Sequence, residues 1–200
     1  MRFVIWISAL LPMVYAAIRF GAPYHPEWLG DIFRFAERYI PFMLSRTPAD
    51  PLKFLSDLSG NSALWLLAAT LFITPLRAYL KINLLRYRRL AGLFSFFYAL
   101  VHAMLFIGID QQFDVAGVTH EVLGKPFIAL GMGAFVIMAL MALTSTNRLY
   151  GRFRGWHRLV YVAVVLIALH YLMSHKTVTL THVAVVGSLF SLLALRLLKR

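Results

Sequence analysis

Six stretches of mostly apolar residues, each close to twenty long and set apart by basic segments, constrain this chain more than any other feature. They run over residues 3–20, 62–80, 90–109, 127–147, 157–174 and 178–197. A helix needs about 20 apolar residues to cross a bilayer, and inside lipid its backbone polar groups must all be satisfied within the segment. The expected fold is therefore all-α: a polytopic membrane protein, a bundle of six transmembrane helices, with 1–200 forming a single integral membrane domain. A mean hydropathy of +0.74 excludes an ordinary soluble domain of this length.

The first stretch, MRFVIWISALLPMVYAAIRF, has a basic second residue and a long apolar core without a small-residue cleavage site. This predicts an uncleaved first helix. The segment 21–60 carries Pro23, Pro26, Pro41, Pro48 and Pro51 and is expected as an external, interfacial loop. Its central piece, WLGDIFRFAERYI, has the amphipathic spacing of a helix lying flat at the membrane surface.

The net charge of +12 would suit nucleic acid, but the cations fall between apolar stretches and form no soluble basic face. They read instead as topology signals, with membrane lipid as the partner. Six spans put both termini on one side. That side holds Arg2, Arg77, Lys81, Arg86, Arg88, Arg89, Arg148, Arg152, Arg154, Arg158, Arg196, Lys199 and Arg200, thirteen cations and no acid. The other holds seven cations and all eight acids. The excess of basic residues places the first side, and both ends, in the cytoplasm.

Within the spans two ionisable residues need a reason. His102 and His170 lie in RRLAGLFSFFYALVHAMLFIGI and GWHRLVYVAVVLIALHYLM, and side chains of this kind at membrane depth mark a pathway, a relay or a bound cofactor. Spans three and five run in the same direction. His102 is 13 residues beyond Arg89 and His170 is 12 beyond Arg158, so both lie roughly 18–20 Å from the inner edge of the hydrocarbon, in its outer half. Two imidazoles at one depth on parallel helices can clamp one porphyrin and leave its iron six-coordinate. The plain alternative is a pair of interhelical hydrogen-bonding histidines. No Asp or Glu falls inside a span to complete a proton relay. With no cysteine there is no thiolate-held cluster and no redox thiol, so electron chemistry would need a histidine-ligated or non-covalent cofactor.

His157 stands at the inner mouth of span five. On an ideal helix its side chain is about 140° away from that of His170, so the two are not expected to serve one haem. The residues at its depth on span three are Arg88 and Arg89, and a guanidinium is a poor iron ligand. His157 is left with three readings: a second haem with an unusual partner, a contact to a cofactor's edge, or a polar helix-start residue. Arg77, Arg88, Arg89, Arg154 and Arg158 suit topology and anionic lipid, and also carboxylate or phosphate contacts such as haem propionates or a flavin phosphate. The spacing does not choose among them. His25, His120, His175 and His182 fall near or beyond the outer edge and are expected to be solvated. Gly131 and Gly133 would let a helix or a porphyrin face approach closely. The aromatics Phe94, Phe96, Phe97, Tyr98 and Phe106 read as core or lipid-facing residues first and cofactor neighbours second.

Three stretches carry a resemblance: SGNSALWLLAATLFITPLR at 59–77, RRLAGLFSFFYALVHAMLF at 88–106 and LTSTNRLYGRFRGWHRLVYVAVVLIALHY at 143–171. In order, with Thr-Pro-Leu-Arg at 74–77, Arg-Arg at 88–89, Thr-Ser at 144–145 and the interval from His157 to His170, they resemble the MsrQ (formerly YedZ) family. These are haem-binding membrane subunits of bacterial periplasmic methionine-sulfoxide reductase systems, within the ferric-reductase-like superfamily. The resemblance implies haem b with His102 and His170 as axial ligands, His157 as a further required histidine, and FMN with no residue assigned to it. Larger relatives carry two histidines on span three for two haems; here Arg88 and Arg89 stand near the inner position. The region 21–48 is longer than the family's first external loop.

The resemblance further implies a bacterial inner-membrane electron carrier. Electrons would come from the quinone pool or a cytoplasmic flavin reductase, since no room follows span six for flavin and nicotinamide domains. They would pass to MsrP, a periplasmic molybdopterin-containing subunit on which methionine sulfoxide in oxidised proteins is reduced. The other classes are a membrane cytochrome b serving another acceptor, such as ferric iron, and a cofactor-free transporter or assembly factor.

Overall fold

The structure, a computed structural model, describes residues 2–21 and 50–198. Everything described outside turns and short connections is helical. α1 spans Arg2–Gly21, α2 Pro51–Leu80, α3 Leu85–Met104, α4 Val115–Gly124, α5 Pro126–Leu143, α6 Asn147–Phe153, α7 Val160–Ser174 and α8 Leu180–Leu198. A π-helical turn, Leu105–Asp110, continues α3, and a 3-10 turn, Arg154–Leu159, leads into α7. Among the described residues five segments are long and apolar enough to cross a membrane: Pro51–Leu80, Leu85–Asp110, Pro126–Leu143, Arg148–Ser174 and Leu180–Leu198. The protein is a multi-pass membrane protein. α1 forms a 20-residue helix over the first apolar stretch.

The largest departure from the sequence reading is the start of α2. Residues 51–60, expected as the end of a loop, are its first ten residues. Asp50 is the N-cap, its side chain accepting from the Lys53 amide at 2.9 Å, and Pro51 occupies the first turn, where its missing N–H costs nothing. Lys53, Ser56, Asp57, Ser59 and Asn61 lower the local hydropathy and hide the helix from a hydropathy criterion. The interfacial helix expected over WLGDIFRFAERYI lies outside the described residues.

Two antiparallel helix pairs organise the bundle. α2 packs along α3 and α5 along α7; α3 touches α5, α8 closes against α2 and α7, and α1 lies on α2 and α3. Leu64, Leu67, Ala68 and Leu71 on α2 follow the i, i+3, i+4, i+7 spacing of one helix face. They meet Val160, Val164 and Ala168 of α7 and Val186 and Leu189 of α8 in the buried core. The small residues let the helices approach, which in lipid is the main source of helix association. Trp65, Phe72, Val136, Val162 and Phe190 point away from the bundle, as helices surrounded by acyl chains permit. α1 is fastened by Trp6, edge-on to Phe94 with ring centres 4.9 Å apart, and by the Tyr98 hydroxyl, which donates to the Ala9 carbonyl at 2.5 Å.

Arg196 is counted among the cations expected on the cytoplasmic side, a reading that says nothing of its packing. It is buried, with its guanidinium 5.2 Å from the centre of the Tyr161 ring. The aromatic face offsets part of the cost of desolvation.

Candidate functional site

His102 sits in the last turn of α3, facing the start of α2. Its Nδ1 lies 2.9 Å from the Ser56 carbonyl and 3.2 Å from Ser56 Oγ. A carbonyl can only accept, so Nδ1 carries the proton and the free lone pair is on Nε2. His170, in the C-terminal part of α7, does the same with α5: its Nδ1 donates to the Phe127 carbonyl at 2.7 Å. The two rings face each other across the bundle with centres 6.2 Å apart and planes at 77°. Each helix pair thus contributes one histidine, and the contact of α3 with α5 brings the two together.

The separation can be tested against an iron ion held by both Nε2 atoms. Metal–imidazole bonds of about 2.0–2.1 Å, with roughly 1.1 Å more from nitrogen to each ring centre, put the centres about 6.3 Å apart. The observed spacing fits, and so does the tautomer, because metal-binding histidines give their other N–H to a carbonyl or carboxylate behind them.

Two glycines make room for the rings. A Cβ on Gly60 would stand 3.2 Å from His102 Nδ1, and one on Gly131 would stand 2.8 Å from both Nδ1 and Cε1 of His170. Gly131 therefore has the close approach that its sequence suggested, toward the histidine itself. Gly133 meets only Leu166, at an ordinary 3.6 Å. Ser56 and Gly60 were missed, because they sit in the polar segment that reads as loop.

Toward the N-terminal ends of α3 and α7 lies a separate space, in what the sequence reading expects to be the inner half. A cavity of about 710 Å³ is lined by His157, Arg88, Arg89, Tyr150, Phe96 and Met138, among others. His157 is held by the Thr144 backbone, with its ring centre 5.0 Å from that of Tyr150, while its Nε2 is buried without a hydrogen-bond partner. Neither His102 nor His170 lines this cavity. Their separation from His157 was expected on ideal α-helical geometry, but the intervening backbone begins as a 3-10 turn, so the angle of about 140° does not apply.

Arg88 and Arg89 are brought to the cavity. Arg77, Arg154 and Arg158 are exposed and do not line it. Of the outer histidines, His120 is exposed, and His25 lies outside the described residues. His175 and His182 were expected to be solvated, yet they form a ring pair at 3.9 Å beside Tyr171. His175 Nδ1 is 2.8 Å from the Tyr171 carbonyl, and His182 Nδ1 accepts from the Thr179 amide at 3.2 Å. Phe96 lines the inner cavity and stacks on Phe135; Phe94 and Tyr98 are core residues.

Residues 59–168 match the ferric reductase like transmembrane component family. A protein-methionine-sulfoxide reductase heme-binding subunit MsrQ of Ralstonia nicotianae is 39% identical over 170 residues, which is 82% of this chain and 76% of that protein. The chain belongs to the MsrQ family. The MsrQ of Herminiimonas arsenicoxydans is 44% identical over 129 residues, and that of Brucella ovis 40% over 133; the chain spans 59% and 60% of their lengths. No solved structure matches the chain. The ferric reductase match takes in Gly60, His102, Gly131 and His157 of this MsrQ chain, while Ser56 and His170 fall just outside its two ends.

Proposed function

We propose that this MsrQ chain is a membrane haem b electron-transfer subunit, with His102 and His170 as the axial ligands of one haem. The observation that carries the reading is the ring separation of 6.2 Å with both Nδ1 atoms anchored to backbone carbonyls. Two histidines alone leave most of a metal's coordination unfilled. Among the described residues no group of three or more His, Cys, Asp or Glu is placed to hold a free ion. A macrocycle would supply the other donors, and bound haem would provide a one-electron couple inside the membrane.

The residues of the chain have simple tasks in this. The Ser56 and Phe127 carbonyls hold each imidazole in the tautomer that leaves Nε2 free for metal. Gly60 and Gly131 let the rings sit against the helix backbones.

In this reading the protein is one membrane domain over 1–200 that crosses the bacterial inner membrane six times, α1 being the first crossing, with both termini in the cytoplasm. The histidine pair then lies toward the periplasm. Electrons come from the quinone pool or a cytoplasmic flavin reductase and leave to MsrP, the periplasmic molybdopterin-containing subunit that reduces methionine sulfoxide. His157, Arg88 and Arg89 form a second cofactor site in the inner half. Its cations suit an anionic group, a haem propionate or an FMN phosphate.

The test is pyridine-haemochrome and flavin quantitation on the purified protein, beside His102→Ala and His170→Ala. Either substitution is expected to abolish the six-coordinate spectrum and remove at least one haem per chain. An unchanged reduced spectrum in either variant would overturn the ligand assignment.

A further inference from the structure

The two histidines are held by the same local device, and the copies differ by one hydroxyl. On α2 a carbonyl at residue 56 takes the ring N–H, and a glycine four residues on, Gly60, underlies the ring. On α5 Phe127 and Gly131 repeat that arrangement at the same spacing. Residues i and i+4 share a helix face, so an accepting carbonyl and a bare backbone stretch make a slot one ring wide. At His170 the residue that supplies the carbonyl adds only an aromatic ring, stacked at 6.2 Å and 29°. At His102 it adds Ser56 Oγ, 3.2 Å from the same nitrogen. Since the carbonyl fixes the proton on Nδ1, the hydroxyl oxygen faces an N–H and serves as its second acceptor. The carbonyl also lies 3.0 Å from Ser59 Oγ, whose one proton it shares with the Leu55 carbonyl at 2.7 Å.

We propose that Ser56 is a positioning residue that tunes the iron's electron affinity through His102, its hydroxyl supplying a second acceptor for the ligand's N–H. This rests on the haem reading above. An acceptor behind a ligating imidazole raises its basicity, and a more basic axial ligand favours the oxidised iron. Removing the hydroxyl makes the site easier to reduce, while the carbonyl keeps the ring in place. The effect is confined to one of two otherwise equivalent ligands.

The experiment is a redox titration of purified wild-type, Ser56→Ala, Ser56→Thr and Ser62→Ala proteins, each with haem content and low-spin EPR spectrum measured. Ser62 is the control: it lies on the same helix, and its hydroxyl donates to its own Leu58 carbonyl at 2.6 Å. Ser56→Ala is expected to keep its haem and a bis-imidazole spectrum with shifted g values. At a fixed potential its reduced-to-oxidised ratio should rise about threefold, ~30 mV at 59 mV per tenfold for one electron. Ser56→Thr, which restores a hydroxyl, should return to the wild-type value, and Ser62→Ala should not leave it. An unchanged potential in Ser56→Ala, an equal shift in Ser62→Ala, or loss of haem from both Ser56 variants would overturn the proposal and leave the ligand assignment standing. A wild-type protein without haem, or a spectrum that survives His102→Ala, would defeat the ligand assignment and the proposal with it.

Discussion

The bundle holds half-buried histidines in two regions, at the C-terminal ends of α3 and α7, expected as the outer half, and at their N-terminal ends, expected as the inner half, and the two differ in how complete they are. In the outer half two imidazoles stand 6.2 Å apart, each tied behind by a carbonyl and each lying on a glycine. In the inner half a single ring, His157, is tied behind by Thr144; its Nε2 is buried without a partner, and the residue lines a cavity of about 710 Å³. Across from it stand Arg88 and Arg89, which have no lone pair to lend a metal. A built ligand pair therefore needs three things: an anchored back nitrogen, a trimmed neighbour and a facing ligand. The outer half has all three; the inner half has the first and an open space.

The sharpest way to break that contrast is Gly131→Ala. A Cβ at 2.8 Å from two atoms of the His170 ring cannot be accommodated unless the ring moves. Disturbing the support behind a metal ligand typically lowers affinity about 10–100-fold. Haem retention after detergent purification should fall accordingly. Full occupancy with an unaltered Soret band would show that the His170 ring is not held against this glycine.

Gly60→Ala is the milder twin. Its Cβ would stand 3.2–3.3 Å from the His102 ring, so a shift of a few tenths of an ångström relieves it. A cost of about 1 kcal/mol, roughly fivefold in affinity, is expected in haem titrations of the apoprotein. If Gly60→Ala proved the more damaging of the two, the equivalence of the slots would be wrong.

These two glycines also mark the limit of what the sequence discloses. That His102 and His170 come together was legible because ionisable residues stand out in apolar spans, and because counting from Arg89 and Arg158 put them at the same level on two helices. Their supports were not legible. Every residue has a carbonyl, so nothing in the letters at 56 and 127 shows that these two are turned toward a ring. Gly60 lies among Ser56, Asp57, Ser59 and Asn61, whose polarity reads as loop although an N-cap at Asp50 and Pro51 start a helix there. Arg196 and the His175–His182 pair show the same limit from the other side. For the histidines, position at a span's end suggested solvent, and for Arg196 it gave only a charge count, whereas packing on Tyr171 and Tyr161 decides their surroundings. The helical fold itself was legible, because span length and hydropathy are properties of single segments.

Tyr98→Phe asks whether the outer site depends on α1. The hydroxyl of Tyr98, one turn before His102 on α3, donates to Ala9 of α1. Its loss should cost about 1 kcal/mol, or ~2–4 °C in the thermal midpoint of a protein this size, with haem content unchanged. A drop in haem occupancy would make α1 part of the site.

The smallest effect on the outer pair is expected from His157→Ala, and for that reason it tests the contrast most directly. Its ring lines a cavity that contains neither outer histidine, so its removal should leave the outer haem's reduced bands and potential where they are. What should change is whatever the inner cavity holds: total haem or flavin per chain, measured on the same sample, should decline. A shift of the outer bands would mean that the two halves are coupled through α3, which carries Arg88 and Arg89 at one end and His102 at the other. An unchanged cofactor content would mean that the buried Nε2 of His157 serves the packing of α7 and holds no ligand.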